Sequence, residues 1–261
     1  MKRDALSSFP MDYDAFAPTY AWTRVAVPWA LEPLARIADD LGPGSIVCEL
    51  GCGTGNYVHA LAARYADLDC IGVDLSQPML REASRRPAAI AFVRADAERA
   101  VPLRDRACAL VFAVDVIHHI ARLDVFFEEA ARILAPGGRL VLVTDSEETL
   151  SRRSLTHYFP ELLSIEVARY PAIETLREQA GAAGFQRIDE APASGAIPLT
   201  DEFVARLAAK CSSAMRLMRP EDHAAGVARV RSGQSRGEQW FSCYTVLTFG
   251  VAGKPVDEGG E

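Results

Sequence analysis

A glycine-rich turn and three acidic residues are the parts of this 261-residue sequence best suited to chemistry. The turn is Gly51-Cys52-Gly53-Thr54-Gly55, with Glu49 two residues before its first glycine. Glycines let a backbone bend sharply and approach a ligand closely. Asp74 follows at about 20 residues from the turn, a spacing at which a carboxylate can accept hydrogen bonds from both hydroxyls of a ribose. Further on, Asp96 can accept from a purine amino group, while the N–H of Ala97 can donate to a ring nitrogen. A dinucleotide-binding turn requires G-x-G-x-x-G, with a glycine at position 56. Asn56 stands there instead. Glu49 would also confront the anionic pyrophosphate of a dinucleotide, whereas it suits a ligand that carries positive charge.

His118 and His119 are the candidates for a general base, since they follow the fourth strand-like run. His157 with Tyr158 is a second candidate pair. Asp115 and Asp145 close the fourth and fifth runs, where acids can hold magnesium. The amide that would complete such a site is not beside Asp145, where Ser146 stands, and no metal is expected. Arg152, Arg153 and Arg169 can meet an anionic substrate, although solvated surface is the ordinary role for arginines. Met215 and Met218 read as core residues.

The elements that must position these groups alternate. Apolar runs at 46–50, 69–75, 91–94, 109–114 and 139–144 read as strands, and 56–65, 77–86 and 123–134 as helices. Such alternation predicts right-handed crossovers and a mostly parallel, doubly wound α/β sheet with helices on both faces. Ligands then sit beyond the carboxyl ends of the strands. A further helix is expected at 173–183, a sixth strand at 185–189, and two helical stretches within 200–232, parted near Arg219-Pro220. Residues 240–251 read as the last strand. The spacing predicts three parts: an N-terminal helical lid over 1–40, rich in aromatics (Tyr13, Phe16, Tyr20, Trp22, Trp29), a central domain over 41–251, and a flexible tail over 252–261. Segments 147–170 and 195–235 would cap the substrate side.

Bulk properties narrow the function. The net charge of −7 argues against a nucleic-acid binder, which usually carries a basic surplus. No apolar run approaches the ~20 residues that span a bilayer, and the N-terminus lacks the apolar stretch of a secretory signal. A cytoplasmic protein without membrane insertion is expected. The six cysteines include no C-x-x-C pair, so they read as small buried hydrophobes.

These residues together resemble the class I S-adenosylmethionine-dependent methyltransferases, in the small-molecule branch that includes the ubiquinone/menaquinone-type enzymes. The resemblance rests on Glu49-Leu-Gly-Cys-Gly-Thr-Gly55, Gly72-Val-Asp-Leu-Ser76, Ala95-Asp-Ala-Glu98, Val116-Ile-His-His-Ile120 and Leu134-Ala-Pro-Gly-Gly-Arg-Leu140, in that order. It implies a Rossmann-like sheet of seven strands, with an antiparallel last strand at 240–251 slotted between the fifth and sixth. It also implies that Glu49, Gly51 and Gly53 hold the methionine end of S-adenosylmethionine, Asp74 and Leu75 its ribose, and Asp96 and Ala97 its adenine. Ala113 and Val114 would approach the sulfonium, and Tyr20, in a lid helix, would contact the cofactor. The implied partner is a small-molecule acceptor methylated at oxygen, nitrogen or carbon, with S-adenosylhomocysteine as co-product; a monomer or homodimer is expected. The competing readings are a non-catalytic S-adenosylmethionine-binding protein and an NAD(P)-dependent oxidoreductase.

Overall fold

Short strands whose alternate residues are apolar on both sides must be covered on both faces, and this requirement organises the molecule. The computed structural model describes residues 13–252. The strands are β1 (Ile46–Leu50), β2 (Asp69–Asp74), β3 (Ile90–Arg94), β4 (Cys108–Val114), β5 (Leu134–Thr144), β6 (Gln186–Pro198) and β7 (Gln239–Gly250). They form one sheet in the order β3-β2-β1-β4-β5-β7-β6. β1 to β5 pair in parallel, and β7 runs antiparallel between β5 and β6. The seventh strand therefore lies where the resemblance implied. Strand order reverses between β1 and β4, the position at which an open α/β sheet leaves a crevice.

The helices are α1 (Tyr13–Thr23), α2 (Pro28–Ala38), α3 (Asn56–Arg64), α4 (Gln77–Ser84), α5 (Leu123–Ile133), α6 (Glu147–Arg152), α7 (Ser154–Tyr158), α8 (Leu162–Arg169), α9 (Ile173–Ala182), α10 (Asp201–Ala208), α11 (Ser213–Arg216) and α12 (Pro220–Ser235). Val47, Leu110, Phe112, Val141 and Val143 point to one sheet face and are buried with Ala30 and Leu34 of α2 and Val58 and Leu61 of α3. Their neighbours Leu50, Val111, Ala113, Leu140 and Leu142 point to the other and are buried with Phe126, Phe127, Leu176 and Ala180 of α5 and α9. Within the stretch expected as a lid, Ala30 and Leu34 of α2 are buried in this core, while Tyr20 of α1 lies at the strand ends. Residues 1–12, and 253–261 of the expected tail, lie outside the described residues.

Three differences from the sequence reading have clear causes. β6 runs to Pro198, far past residue 189. Pro192 and Gly195 look like strand breakers, yet β6 is an edge strand, where proline is tolerated. At Gly195 the ring of Trp29 packs so closely that a β-carbon would stand 2.1 Å from its Cε3. Segment 147–170 forms three short helices, started by Ser146, whose hydroxyl accepts from Thr149 N–H in a capping box. The 200–232 stretch breaks at 209–212 as well as at Arg219-Pro220, since Lys210 takes a positive φ and Ser212 caps α11. These helices have their own core, in which Phe159, Leu162, Leu207, Met215 and Val230 are buried together with Met218. Among the described residues, no helix is long and apolar enough to cross a membrane.

Candidate functional site

The carboxyl ends of β1, β2, β3 and β4 open into a cleft of about 450 Å³, roofed by Tyr20 and Arg24 of α1 and the chain just after it. The turn after β1 forms its floor. Gly51, Gly53 and Gly55 all take positive φ, the left-handed region that glycine enters without strain. Gly55 then starts α3, whose third N–H, at Val58, is accepted by Glu49 Oε2 at 2.9 Å. Glu49 is 2% exposed. Burial pushes its carboxyl well above the usual range, the nearby Asp74 adds to this, and the Val58 N–H and Arg86 oppose it. A buried acid held in this way would be stabilised by a cationic partner.

Asp74 ends β2 and clamps the turn. Its Oδ2 accepts from Gly53 N–H at 2.7 Å and its Oδ1 from Ser76 N–H at 2.8 Å. Burial raises its pKa, and these backbone donors pull it back. The carboxylate lines the cleft, where it can accept from a further donor. Asp96 follows β3; its Oδ1 accepts from Glu98 N–H at 2.9 Å and Arg99 pairs with its Oδ2 at 3.2 Å. Leu75 is 61% exposed beside Asp74, an apolar side chain left open at the cleft.

Nine of the ten residues expected at a cofactor, namely Tyr20, Glu49, Gly51, Gly53, Asp74, Leu75, Asp96, Ala97 and Val114, line this one cleft. Ala113 does not. It is 2% exposed within the core under the opposite face, because successive strand residues alternate and Val114 takes the cleft side.

Arg24 and Asp115 lie at the cleft's far wall and connect it to a second, smaller pocket of about 50 Å³. Asp115 has φ +56°, a left-handed backbone that aspartate tolerates better than most residues. Its carboxylate accepts from Arg24 at 2.6 Å and from the Tyr170 hydroxyl at 2.9 Å, tying α1 to the chain after α8. Burial pushes the Asp115 carboxyl up, but Arg24 and Arg153 hold it below its ordinary value. The end of α1 is also held by Asn56, whose amide donates to Arg24 C=O at 3.1 Å.

His118 and His119 sit on a short 3-10 turn, Ile117–His119, after β4. His119 lines both pockets and His118 the smaller one. The ring of His118 lies 4.3 Å from that of Tyr170. Burial lowers the His118 pKa well below 6.5, helped by His119 and Arg169; burial and then Arg169 lower His119 to about 4. Both rings are therefore neutral near pH 7. A base with a depressed folded pKa adds stability above its unfolded pKa and loses it as pH falls through the folded one. Wild type should lose stability relative to a His118→Gln/His119→Gln variant as pH falls from about 6.5 towards 4. The slope should reach about 1.4 kcal/mol per pH unit for each histidine. Urea titrations across that range measure it, and a pH-independent gap would refute it. The raised carboxyls of Glu49 and Asp74 act in the opposite sense, which the difference between the two proteins removes.

Arg153 and Arg169 are not on the solvated surface expected of them. Arg153 is 7% exposed and pairs with Asp145 at 2.6 Å and Glu166 at 2.9 Å. Arg169 donates to Ser213 Oγ at 2.9 Å and approaches Glu166 at 3.6 Å. Arg152 is exposed and pairs with Glu148. Asp145, raised to about 7 chiefly by burial, also accepts from Thr149. Asp115 and Asp145 are thus held by arginines, and the described residues contain no group of three His, Cys, Asp or Glu with metal-binding geometry. His157 is exposed and outside both pockets, while Tyr158 stacks on Trp240 and donates to Glu238. Sequence reasoning missed Arg24, Tyr170, Glu166, Ser212 and Ser213, which reach the site from distant segments without a local motif.

Comparison with known proteins finds similarity over part of the chain. Residues 48–142 match the family described as "Methyltransferase domain". A malonyl-[acyl-carrier protein] O-methyltransferase of Methylococcus capsulatus is 38% identical over 112 residues, 42% of this chain and 40% of that protein. A trans-aconitate 2-methyltransferase of Methylobacterium nodulans is 38% identical over 125 residues, 48% of this chain and 47% of that protein. The chain thus spans less than half the length of these relatives in the matched region. A Haemonchus contortus phosphoethanolamine N-methyltransferase, solved with phosphomonomethylethanolamine and S-adenosylhomocysteine, superposes with a TM-score of 0.59. The match covers 97% of this chain and 60% of that one at 21% identity, a likeness of fold.

Proposed function

We propose that this chain is a class I S-adenosylmethionine-dependent methyltransferase that acts on a small-molecule acceptor; its residues 48–142 match a methyltransferase domain, and its fold is like that of a solved N-methyltransferase. The observation that carries this reading is the convergence of Glu49, Asp74 and Asp96 on one cleft, each from the end of a different strand. The cleft's volume of about 450 Å³ falls within the ~300–1,000 Å³ typical of small-ligand sites.

The residues present fit the cofactor. Glu49 offers a buried negative charge to the ammonium of the methionine end. Gly51 and Gly53 let the backbone approach it. Asp74 accepts from the ribose hydroxyls, Asp96 and Ala97 meet the adenine edge, and Leu75 covers an apolar face. S-adenosylmethionine would supply a methyl group already activated on a sulfonium. The protein's remaining work is to align the acceptor with that methyl and exclude water. Tyr20 and Arg24 close the cleft from above, and the cap helices over 147–170 and 201–235 enclose the acceptor side. The net charge of −7 supports a small molecule over nucleic acid.

Calorimetry with S-adenosylhomocysteine and with NADH tests the reading. The former should bind and the latter should not; the reverse result would return the oxidoreductase alternative. Asp74→Ala should weaken S-adenosylhomocysteine binding about 100-fold, roughly 3 kcal/mol for two lost charge-assisted hydrogen bonds. Unchanged affinity would remove Asp74 from the site. Acceptor-dependent formation of S-adenosylhomocysteine separates the enzyme from a non-catalytic binder.

A further inference from the structure

The smaller pocket, next to the cofactor cleft, is built almost wholly from polar side chains. His118, Arg153, Tyr170, Ser212, Ser213 and the carboxylate of Glu166 line it, and it shares Tyr20, Arg24, Asp115 and His119 with the large cleft. Anything bound there adjoins the cleft in which the methyl group would lie.

Buried nitrogens in and beside this pocket lack a hydrogen-bond partner among the described residues. Arg153 spends Nη1 on Asp145 and Nη2 on Glu166, but its Nε is buried with no partner among the described residues. Arg169 Nη2 donates to Ser213, while its Nη1 is buried without a hydrogen bond. His118 Nδ1 is likewise buried and unpartnered. Buried polar groups are rarely left in this state. Arg153 lines the pocket and Arg169 reaches it through Ser213, with its Nη1 at 3.6 Å from Glu166; guanidinium nitrogens only donate, so an acceptor is the group that would complete them. The arginine side chains are 8% and 9% exposed, so bulk water does not supply it.

On the methyl-transfer reading above, we propose that this pocket is the acceptor subsite and that it takes a carboxylate, so that the product is a methyl ester. The size agrees. A water-sized occupant needs ~10–15 Å³ on this scale, so about 50 Å³ holds a group of three or so heavy atoms, with the rest of the acceptor extending into the cleft. The chemistry agrees as well. Two histidines held neutral by burial are weak bases, poorly matched to deprotonating a phenol or alcohol. A carboxylate arrives ionised and needs no base. One carboxylate oxygen donates its lone pair to the methyl carbon, the carbon–sulfur bond breaks, and its electron pair goes to sulfur. The sulfonium becomes a neutral thioether, the carboxylate becomes a neutral ester, and no proton is released. His118 and His119 then serve as neutral hydrogen-bonding walls, with the guanidiniums orienting the anion.

The test uses the full chain saturated with S-adenosylhomocysteine. Benzoate, phenylacetate, glutarate and adipate are titrated calorimetrically, each beside its amide. At least one acid should bind about 10-fold more tightly than its amide, the size of one charge-assisted hydrogen bond. Arg169→Met and Ser213→Ala should each reduce that preference while leaving S-adenosylhomocysteine affinity within about 2-fold, below 0.5 kcal/mol. The preferred acid, incubated with methyl-tritiated S-adenosylmethionine, should give counts released as volatile methanol by mild base, with no acidification of a weakly buffered reaction. Acids that bind no better than amides, or product counts stable to base, overturn the carboxylate subsite. Failure to bind S-adenosylhomocysteine at all would instead overturn the methyltransferase reading.

Discussion

Gly51→Ala is expected to reduce S-adenosylhomocysteine affinity by 100-fold or more while the protein still folds. The backbone at Gly51 has φ +72°, and a non-glycine residue held there costs about 1–2 kcal/mol. Space is the larger obstacle. A β-carbon at Gly51 would lie 2.3 Å from Val116 Cγ2 and 2.9 Å from Val116 Cβ. Gly51 N–H is bonded to Val73 C=O at 2.8 Å, so the turn cannot swing away without breaking the floor of the cleft. Val116 cannot retreat easily, since it leads into the turn carrying His118 and His119. Loss of about 3 kcal/mol of binding follows, the free-energy equivalent of a 100-fold change. Val116→Ala removes the Cγ atoms, so the double variant should recover part of the loss, and a double-mutant cycle should show coupling of ~0.5–3 kcal/mol. Undiminished binding by Gly51→Ala would mean that the turn is not the cofactor floor.

The largest expected effect on stability belongs to Arg153→Met. Arg153, Asp145 and Glu166 have side chains 8%, 0% and 5% exposed, and Arg153 is the centre of the triad. Removing it leaves the buried Asp145 without its cation and Glu166 with Arg169 alone, at 3.6 Å, a loss of about 3–5 kcal/mol. That is a large share of the ~5–15 kcal/mol that keeps a domain folded. The pH dependence has a definite sign. Asp145 is raised to about 7 even with Arg153 present, chiefly by burial. A carboxyl with a raised folded pKa contributes stability below its unfolded pKa and loses it as pH rises through the folded one. Without Arg153 that shift grows, so the gap between wild type and variant should narrow from pH 8 to pH 5. Urea unfolding followed by circular dichroism measures this, and a gap that widens on acidification would show that Arg153 does not neutralise the acids. Adding Asp145→Asn and Glu166→Gln to the variant should restore much of the loss.

Glu49, Asp74 and Asp96 were legible in the sequence because each lies at or just past the carboxyl end of a short apolar strand, and parallel strands deliver those ends to the same edge of a sheet. Ala113 was misplaced because its neighbour Val114 and it point to opposite faces, and the run 109–114 is apolar throughout, which leaves no alternation to read. Arg153 and Glu166 are separated by twelve residues and meet only because α6, α7 and α8 fold back on one another. Arg24 and Asp115 are 91 positions apart. Their charges look like solvated surface in sequence, and burial by the cap converts them into a polar core. β6 was cut short at 189 because Pro192 and Gly195 disfavour a central strand, whereas this one lies at the sheet's edge.

That edge has a consequence for how the molecule behaves at high concentration. β6 is 13 residues long, and one side of its backbone lies along β7 while the other has no strand against it among the described residues. A long, bare edge is a template for pairing with another chain. Pro192 and Pro198 keep their register with Thr245 and Gln239, and their ring nitrogens carry no hydrogen to donate to an incoming strand. The indole of Trp29 occupies the surface over Gly195 between them. The residues that hid this strand in the sequence are therefore the ones that guard it against cross-chain β-pairing, and replacing Pro192 and Pro198 together should lower the concentration at which the protein self-associates.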